Sequence, residues 1–425
     1  MNKTKCVYPW IEMLAQTGGD WNMCCISASA GKILKEDGST YRAAHDSMES
    51  ARTSPWMDQV RQDMLDGKEI SACKHCYYQE SIGKKSYREM FNQEWTDKLG
   101  IDEIERLTET NKVIEGVQYL DLRLGNLCNL KCRMCHSFNS TMIGDEAKEL
   151  LKEDESFKDI YGRYISRSEP ADKFEWFESD HFWHDVIDKI PNLRKIYMTG
   201  GEPTLIEGNY RFIDECVRSG HSKHITLMFN INCTNIQQRF IDQLEHFEFV
   251  ILNCSIDAYG ELNDYIRTNS RWKAISKNFE KLLKLPKNVQ LGVTPVIQTY
   301  NVGQIVDLVQ WVENHAIAND RSINVDFLYA THPAMLNASV LPRSYREMAA
   351  KRLDNFKQNS HIYKTNSFAK NGIDSCINLL NKNTNEDQTQ IVKDFINYTR
   401  ILDLKRNQFL DQYNPELAEA INYER

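Results

Sequence analysis

Short apolar runs alternate with amphipathic stretches through the middle of the chain. The run Val117-Gln118-Tyr119-Leu120-Asp121-Leu122-Arg123-Leu124 predicts a strand, and similar runs follow at 193–199, 224–232, 248–256, 289–298 and 322–330. Between them, apolar positions recur at helical spacing over 173–189, 208–219, 236–246, 261–284 and 303–316. Strands alternating with helices imply parallel βαβ units. Six such strands predict an α/β fold, an open or partial (β/α)6 barrel of the TIM type, with its active site at the C-terminal ends of the strands. Residues 1–112 read differently. A turn-rich stretch, Thr17-Gly18-Gly19-Asp20, precedes a helix over 55–65 that carries Trp56, Val60 and Met64 and stops near Gly67. A second helix is expected over 85–97. Residues 145–172 are charge-rich and read as a surface insertion. Beyond about 340 the pattern is helical, with a polar linker through Asn381, Asn383, Thr384, Asn385, Glu386 and Asp387. The expected division is 1–112, a cysteine-rich module; 113–335, the partial barrel; and 336–425, a helical extension.

Composition narrows the function. Of the 425 residues 41% are hydrophobic and 26% charged, which is ordinary for a folded globular chain. The net charge of −8 gives no bulk electrostatic grip on nucleic acid. No apolar run approaches the roughly 20 residues that span a bilayer, so a cytoplasmic protein is expected. Twelve cysteines are then conspicuous, because clustered cysteines in a reducing compartment are more often metal ligands or catalytic groups than disulfides. Cys216, Cys233, Cys254 and Cys376 stand alone and read as small buried hydrophobes. The others fall into two groups.

The first group is Cys128-Asn129-Leu130-Lys131-Cys132-Arg133-Met134-Cys135, directly after the first predicted barrel strand. Three thiolates at this spacing can hold three irons of a [4Fe–4S] cluster and leave the fourth open to an outside ligand. Zinc on the three cysteines and His136 is the alternative. The spacing Cys-x3-Cys-x2-Cys after a strand resembles the signature of radical S-adenosylmethionine (SAM) enzymes. The resemblance implies that the open iron binds the amino and carboxylate groups of SAM, whose reductive cleavage yields a 5′-deoxyadenosyl radical that abstracts substrate hydrogen. Met134 stands where the family often has an aromatic residue, and it can still pack against adenine.

Further motifs extend the likeness. Gly200-Gly201-Glu202-Pro203 looks like the family's GGEP motif, which binds the SAM ammonium; two glycines allow close backbone approach beside a carboxylate. Thr234 and Asn235 fall where many members have a TN element. Asn253, Ser255 and Asp257 alternate onto one face of a strand. Ser255 through Tyr259-Gly260, then Tyr265-Ile266-Arg267 and Trp272, resembles the SIDG…YxxIR…W pattern, with Ala258 in place of glycine. The resemblance gives Ser255 a SAM contact and Arg267 the SAM carboxylate, with Asp257 beside them.

The second group is Cys6, Cys24, Cys25, Cys73 and Cys76. Cys6-x12-Gly19-x4-Cys24 resembles the start of the twitch and SPASM extensions of radical SAM enzymes, and Trp56, Arg61, Met64, Leu65, Gly67, Glu80, Gly83 and Ser86 add to it. Such extensions usually follow the barrel; here the segment precedes it. The resemblance implies a second [4Fe–4S] cluster on Cys6, Cys24, Cys73 and Cys76, with Cys25 competing for the place of Cys24 and zinc as the alternative metal. The expected partners are an electron donor such as flavodoxin or ferredoxin and a peptide or protein side chain as substrate. A small molecule such as a sugar or nucleotide is the alternative substrate. A non-catalytic metal-binding scaffold is the remote one.

Overall fold

The computed structural model describes residues 4–81, 85–113, 115–153, 174–382 and 388–425. Gly83, most of the charge-rich 145–172 stretch and most of the polar run at 381–387 lie outside the described residues. The chain forms two compact units. One comprises Met1–Asn126, Glu169–Phe229 and His246–Phe249; the other comprises Leu127–Ser168, Asn230–Glu245 and Val250–Arg425. These units cut across the three expected segments. Residues 336–425 belong to the second unit, and the N-terminal residues share the first unit with the strands at 119–122 and 195–198.

The strands among the described residues are β1 (Glu12–Ala15), β2 (Trp21–Asn22), β3 (Tyr119–Leu122), β4 (Lys131–Cys132), β5 (Lys195–Met198), β6 (Thr226–Ile231), β7 (Phe249–Cys254), β8 (Arg267–Thr268), β9 (Val289–Val293), β10 (Val296–Ile297), β11 (Ile323–Val325) and β12 (Leu328–Tyr329). In the first unit β1, β3, β5 and β6 run parallel, with β2 antiparallel beside β1. β1 is buried along its whole length, and Trp10, Trp21 and Trp95 are fully buried in this unit. The helix Tyr87–Leu99 starts at a capping box in which Ser86 and Glu89 bond each other's backbone. Its Phe91 stacks on Tyr8 with ring centroids 3.9 Å apart.

In the second unit β7, β9 and β11 pair in parallel, as do β10 and β12. The helices Arg343–Asn359, Ser367–Asn381 and Thr389–Arg406 pack within this unit. The arrangement is α/β with parallel strands, as the alternating pattern predicts. Three expected elements are broken, one of them the strand over 322–330, which divides into β11 beside β9 and β12 beside β10. The single helix over 261–284 is Glu261–Ile266 and Trp272–Leu282, because Arg267 and Thr268 leave the helix to pair antiparallel with Cys132 and Lys131, and Asn269 takes a left-handed φ of 78°. The strand over 289–298 is interrupted at Thr294-Pro295, where proline supplies no N–H to the ladder. No helix among the described residues is long and apolar enough to cross a membrane.

Candidate active site

The second unit holds the cysteine loop. Its centre is the two-residue ladder β4–β8, which sets Cys132 opposite Arg267. The Arg267 guanidinium lies 3.8 Å from the Cys132 sulfur and donates through Nε to Asp257 at 2.7 Å. Asp257 is fully buried, and its other oxygen accepts the Val296 amide at 2.8 Å. Asp257 is therefore engaged by Arg267 and the β10 backbone, and a charged guanidinium is held against the Cys132 sulfur. Burial pushes the Cys132 thiol up, and Arg267 opposes that rise; burial also pushes Cys135 up, with the neighbouring Cys132 and Cys128 adding to it.

The loop is fixed from three directions. The Cys128 amide donates to Thr141 Oγ1 at 3.3 Å. Asn129 donates to Thr234 Oγ1 and accepts from Asn232 Nδ2, both at 2.8 Å. Asn232 also receives the Thr234 amide, closing the turn in which Cys233 adopts a φ of 60°. A left-handed conformation at a non-glycine residue costs of order 1–3 kcal/mol and persists only where its surroundings impose it. Here they serve to hold Asn129 beside Cys128, so the structure gives Thr234 a positioning role in the loop.

The third direction is the helix Thr389–Arg406, which sequence analysis does not connect with the cysteines. Lys131 and Arg133 flank Cys132. Lys131 pairs with Glu146 at 2.9 Å, and Glu146 pairs with Arg406 at 2.6 Å. Arg133 and Asp403 are both fully buried and approach to 2.6 Å. The Arg133 plane lies over the Tyr265 ring, 3.6 Å from its centroid, and Nε donates to the Tyr265 carbonyl at 2.9 Å. Neither terminal nitrogen of Arg133 makes a well-directed hydrogen bond, so the pair with Asp403 is held by charge and by the ring face. Tyr398 of the same helix donates to the Arg133 carbonyl. Thus Asp403, Arg406 and Tyr398 grip the residues on both sides of Cys132. An arginine between two closely spaced cysteines is the one sequence signal that could have pointed here.

The first unit carries the Gly200–Pro203 turn at the end of β5. Gly200 has a φ of 91°, and a Cβ there would meet Arg123 Cβ at 3.1 Å and the Gly125 carbonyl at 3.2 Å, so glycine is required on both counts. Glu202 is buried and accepts from the Thr204 hydroxyl at 2.6 Å and its amide at 3.2 Å, which fixes the carboxylate.

The same unit gathers the N-terminal thiols. Cys6, Cys24, Cys73 and Cys76 line one cavity with Tyr8, Met23, Met64, Arg88 and Phe91; Cys25 does not line it. The Ile26 amide reaches the Cys24 sulfur at 3.4 Å. Burial pushes the Cys6, Cys73 and Cys76 thiols up, and the Tyr8 amide, the Tyr77 hydroxyl and the Arg88 amide oppose that rise in turn. Burial pushes the Cys73 thiol up to about 12. Arg88 is fixed by Glu80 at 2.8 Å and by the Lys5 carbonyl at 3.0 Å. All these cysteines are free of disulfides.

Residues 122–312 match the Radical SAM superfamily. This part of the chain is thus similar to a radical SAM domain, a family that implies a [4Fe–4S] cluster and SAM. An uncharacterized protein of Methanocaldococcus jannaschii, MJ0907, is 23% identical over 222 residues, which cover 51% of this chain and 64% of that protein. Among solved structures, anSMEcpe with bound AdoMet overlaps with a TM-score of 0.38 at 16% identity, covering 59% of this chain and 63% of that one. Streptococcus suis SuiB overlaps with a TM-score of 0.37 at 14% identity, covering 72% and 63%. The chain thus spans a little under two thirds of the length of each of these relatives.

Proposed function

We propose that this protein is a radical SAM enzyme that abstracts hydrogen from a peptide or protein side chain. The observation that carries the assignment to the class is the Cys128/Cys132/Cys135 loop, with Arg267 held against Cys132, inside the matched domain. A [4Fe–4S] cluster on these thiolates would supply the electron that cleaves SAM. Cys128, Cys132 and Cys135 serve as its ligands, and the loop's anchors on Thr141, Asn232 and Asp403 keep them in place. The protein's own tasks are to orient and neutralise. Arg267 offers a guanidinium to the SAM carboxylate, with Asp257 orienting it. Glu202, held by Thr204, offers an acceptor to the SAM ammonium. Gly200 and Gly201 give the ligand backbone access, Pro203 fixes the turn, and Met134 and Ser255 add adenine and ribose contacts.

In the same reading the strands form a partial barrel, and the N-terminal residues form a twitch-like module holding a second [4Fe–4S] cluster on Cys6, Cys24, Cys73 and Cys76. The spacing of the thiols supports clusters over zinc. A single ion needs its donor atoms crowded together, whereas a cubane carries its cysteines on separate corners. Among the described residues, no three of these sulfurs lie within 4.8 Å of one another. The preference for a peptide substrate comes from the resemblance to enzymes with such extensions, and a flavodoxin or ferredoxin is the proposed electron source.

The test is anaerobic reconstitution followed by SAM and a low-potential reductant, reading 5′-deoxyadenosine. Wild type should form it and Cys132→Ala should not. Undiminished formation by the variant would overturn the assignment.

A further inference from the structure

The first unit contains a second kind of donor cluster. Glu12 lies on β1 and Asp121 on β3, on the same face and one register step apart, since Glu12 pairs with Tyr119 and Leu14 with Asp121. Both carboxylates are fully buried. Cys25 does not line the cavity of the other four thiols, although its thiol also meets that of Cys24; it brings its sulfur to the two carboxylates, and one donor atom from each of the three residues lies within 4.8 Å of the other two. Among the described residues this is the one group at single-ion spacing.

Glu12 supplies the independent sign of a ligand. Neither of its oxygens has a hydrogen-bond partner. A buried carboxylate normally has several, because leaving it bare costs its full desolvation. The nearby cations are committed elsewhere. Arg123 donates to Asp121 at 3.0 and 3.2 Å, and Lys195 pairs with Glu94 at 2.6 Å. Asp121 keeps a second lone pair on each oxygen after receiving Arg123. The charges also balance. Three ionised donors and one guanidinium sum to two negative charges, which one divalent cation neutralises. Without a cation, the Glu12 carboxyl is raised well above its ordinary range by burial, with Cys25 and Asp121 adding to the rise.

We propose that Glu12, Asp121 and Cys25 form a binding site for one divalent metal ion of the zinc class, separate from both iron–sulfur sites. Two carboxylate oxygens and one thiolate suit a borderline cation, and metal–ligand lengths of about 2.0–2.3 Å keep the donors of one ion within about 4.6 Å of one another, the scale of this group, so that small side-chain adjustments bring all three onto it. Cys24 and Cys25, whose thiols meet, then serve neighbouring metals, the first with the other cavity thiols and the second with the two carboxylates. The proposal does not depend on SAM cleavage, so the two fail separately.

The experiment uses the full chain with its iron sites filled anaerobically. The protein is exposed to Zn2+, passed over a weak chelator, and assayed for zinc and iron. Wild type should keep about one zinc per chain, bound at least about tenfold more tightly than in Glu12→Gln or Cys25→Ser, with iron equal in all three. Zinc-edge X-ray absorption should show one sulfur neighbour in wild type. Retention of no zinc by wild type would overturn the proposal, as would equal retention by Glu12→Gln, which is nearly isosteric and decides the matter if Cys25→Ser fails to fold. Loss of iron from Cys25→Ser would overturn it too, by making Cys25 a cluster ligand.

Discussion

Replacing Asp403 with alanine tests whether the C-terminal helix governs the cysteine loop. Asp403 meets Arg133 at 2.6 Å with both side chains fully buried. It also accepts the Tyr265 hydroxyl at 2.9 Å, the Tyr423 hydroxyl at 2.6 Å and the Leu410 amide at 2.9 Å. Removing one partner of a buried pair leaves an uncompensated charge and costs about 3–5 kcal/mol. The orphaned donors would each add about 1 kcal/mol, but they share one oxygen pair and will not sum. The cation–π contact with Tyr265 offsets part of the loss, roughly 2 kcal/mol for a desolvated site. A net loss of about 3–4 kcal/mol is expected. Urea unfolding of the apo protein reads it. On the reconstituted protein, Asp403→Ala should keep its N-terminal iron and lose iron from the Cys128/Cys132/Cys135 site faster than wild type. A loss below about 1 kcal/mol, or equal iron retention at that site, would refute the coupling.

Other predictions follow from the same geometry. Gly200→Ala meets both a positive φ and the Gly125 carbonyl, so it should destabilise by at least about 1–2 kcal/mol and weaken SAM binding, measured by equilibrium dialysis. Arg267→Lys keeps the charge but loses the planar fork that bonds Asp257 while facing Cys132; SAM cleavage should fall about tenfold or more, with iron retained. Filling the N-terminal site must strip protons from raised thiols such as Cys73, held up to about 12. In a Cys128/Cys132/Cys135→Ala background, apparent iron affinity should therefore climb about tenfold or more per pH unit from neutrality upward, and a flat profile would contradict the burial of those thiols. The sign for the apo fold is opposite. The raised thiol favours folding below the ordinary thiol range near 8.5 and loses that contribution as pH rises towards 12.

The parallel strands β3, β5, β6, β7 and β9 were legible because each is a short apolar run among amphipathic stretches, and the helix Pro55–Leu65 follows its periodicity to the residue. The cysteine loop and the Gly200 turn stand out in the sequence as candidates because their spacing is local. What escaped depends on distance along the chain. β1 carries Glu12 within the apolar run Trp10-Ile11-Glu12-Met13-Leu14, which hides a strand joining β3 more than one hundred residues away. Arg267 reads as helical until Cys132, 135 residues earlier, pairs with it. Asp403 looks like any polar residue on an amphipathic helix, and only the fold brings Arg133 to it. Cys24 and Cys25 are indistinguishable in sequence, yet the backbone turns one towards the other thiols and the other towards two carboxylates.

The central claim is tested most directly by iron and sulfide per chain, with the electron paramagnetic resonance of the reduced protein, on wild type and on Cys128/Cys132/Cys135→Ala. The account predicts about eight irons in wild type, falling to about four in the variant, and a signal that changes on adding SAM in wild type alone. Iron that stays the same in the variant, or a SAM-dependent signal that survives the three substitutions, would contradict it.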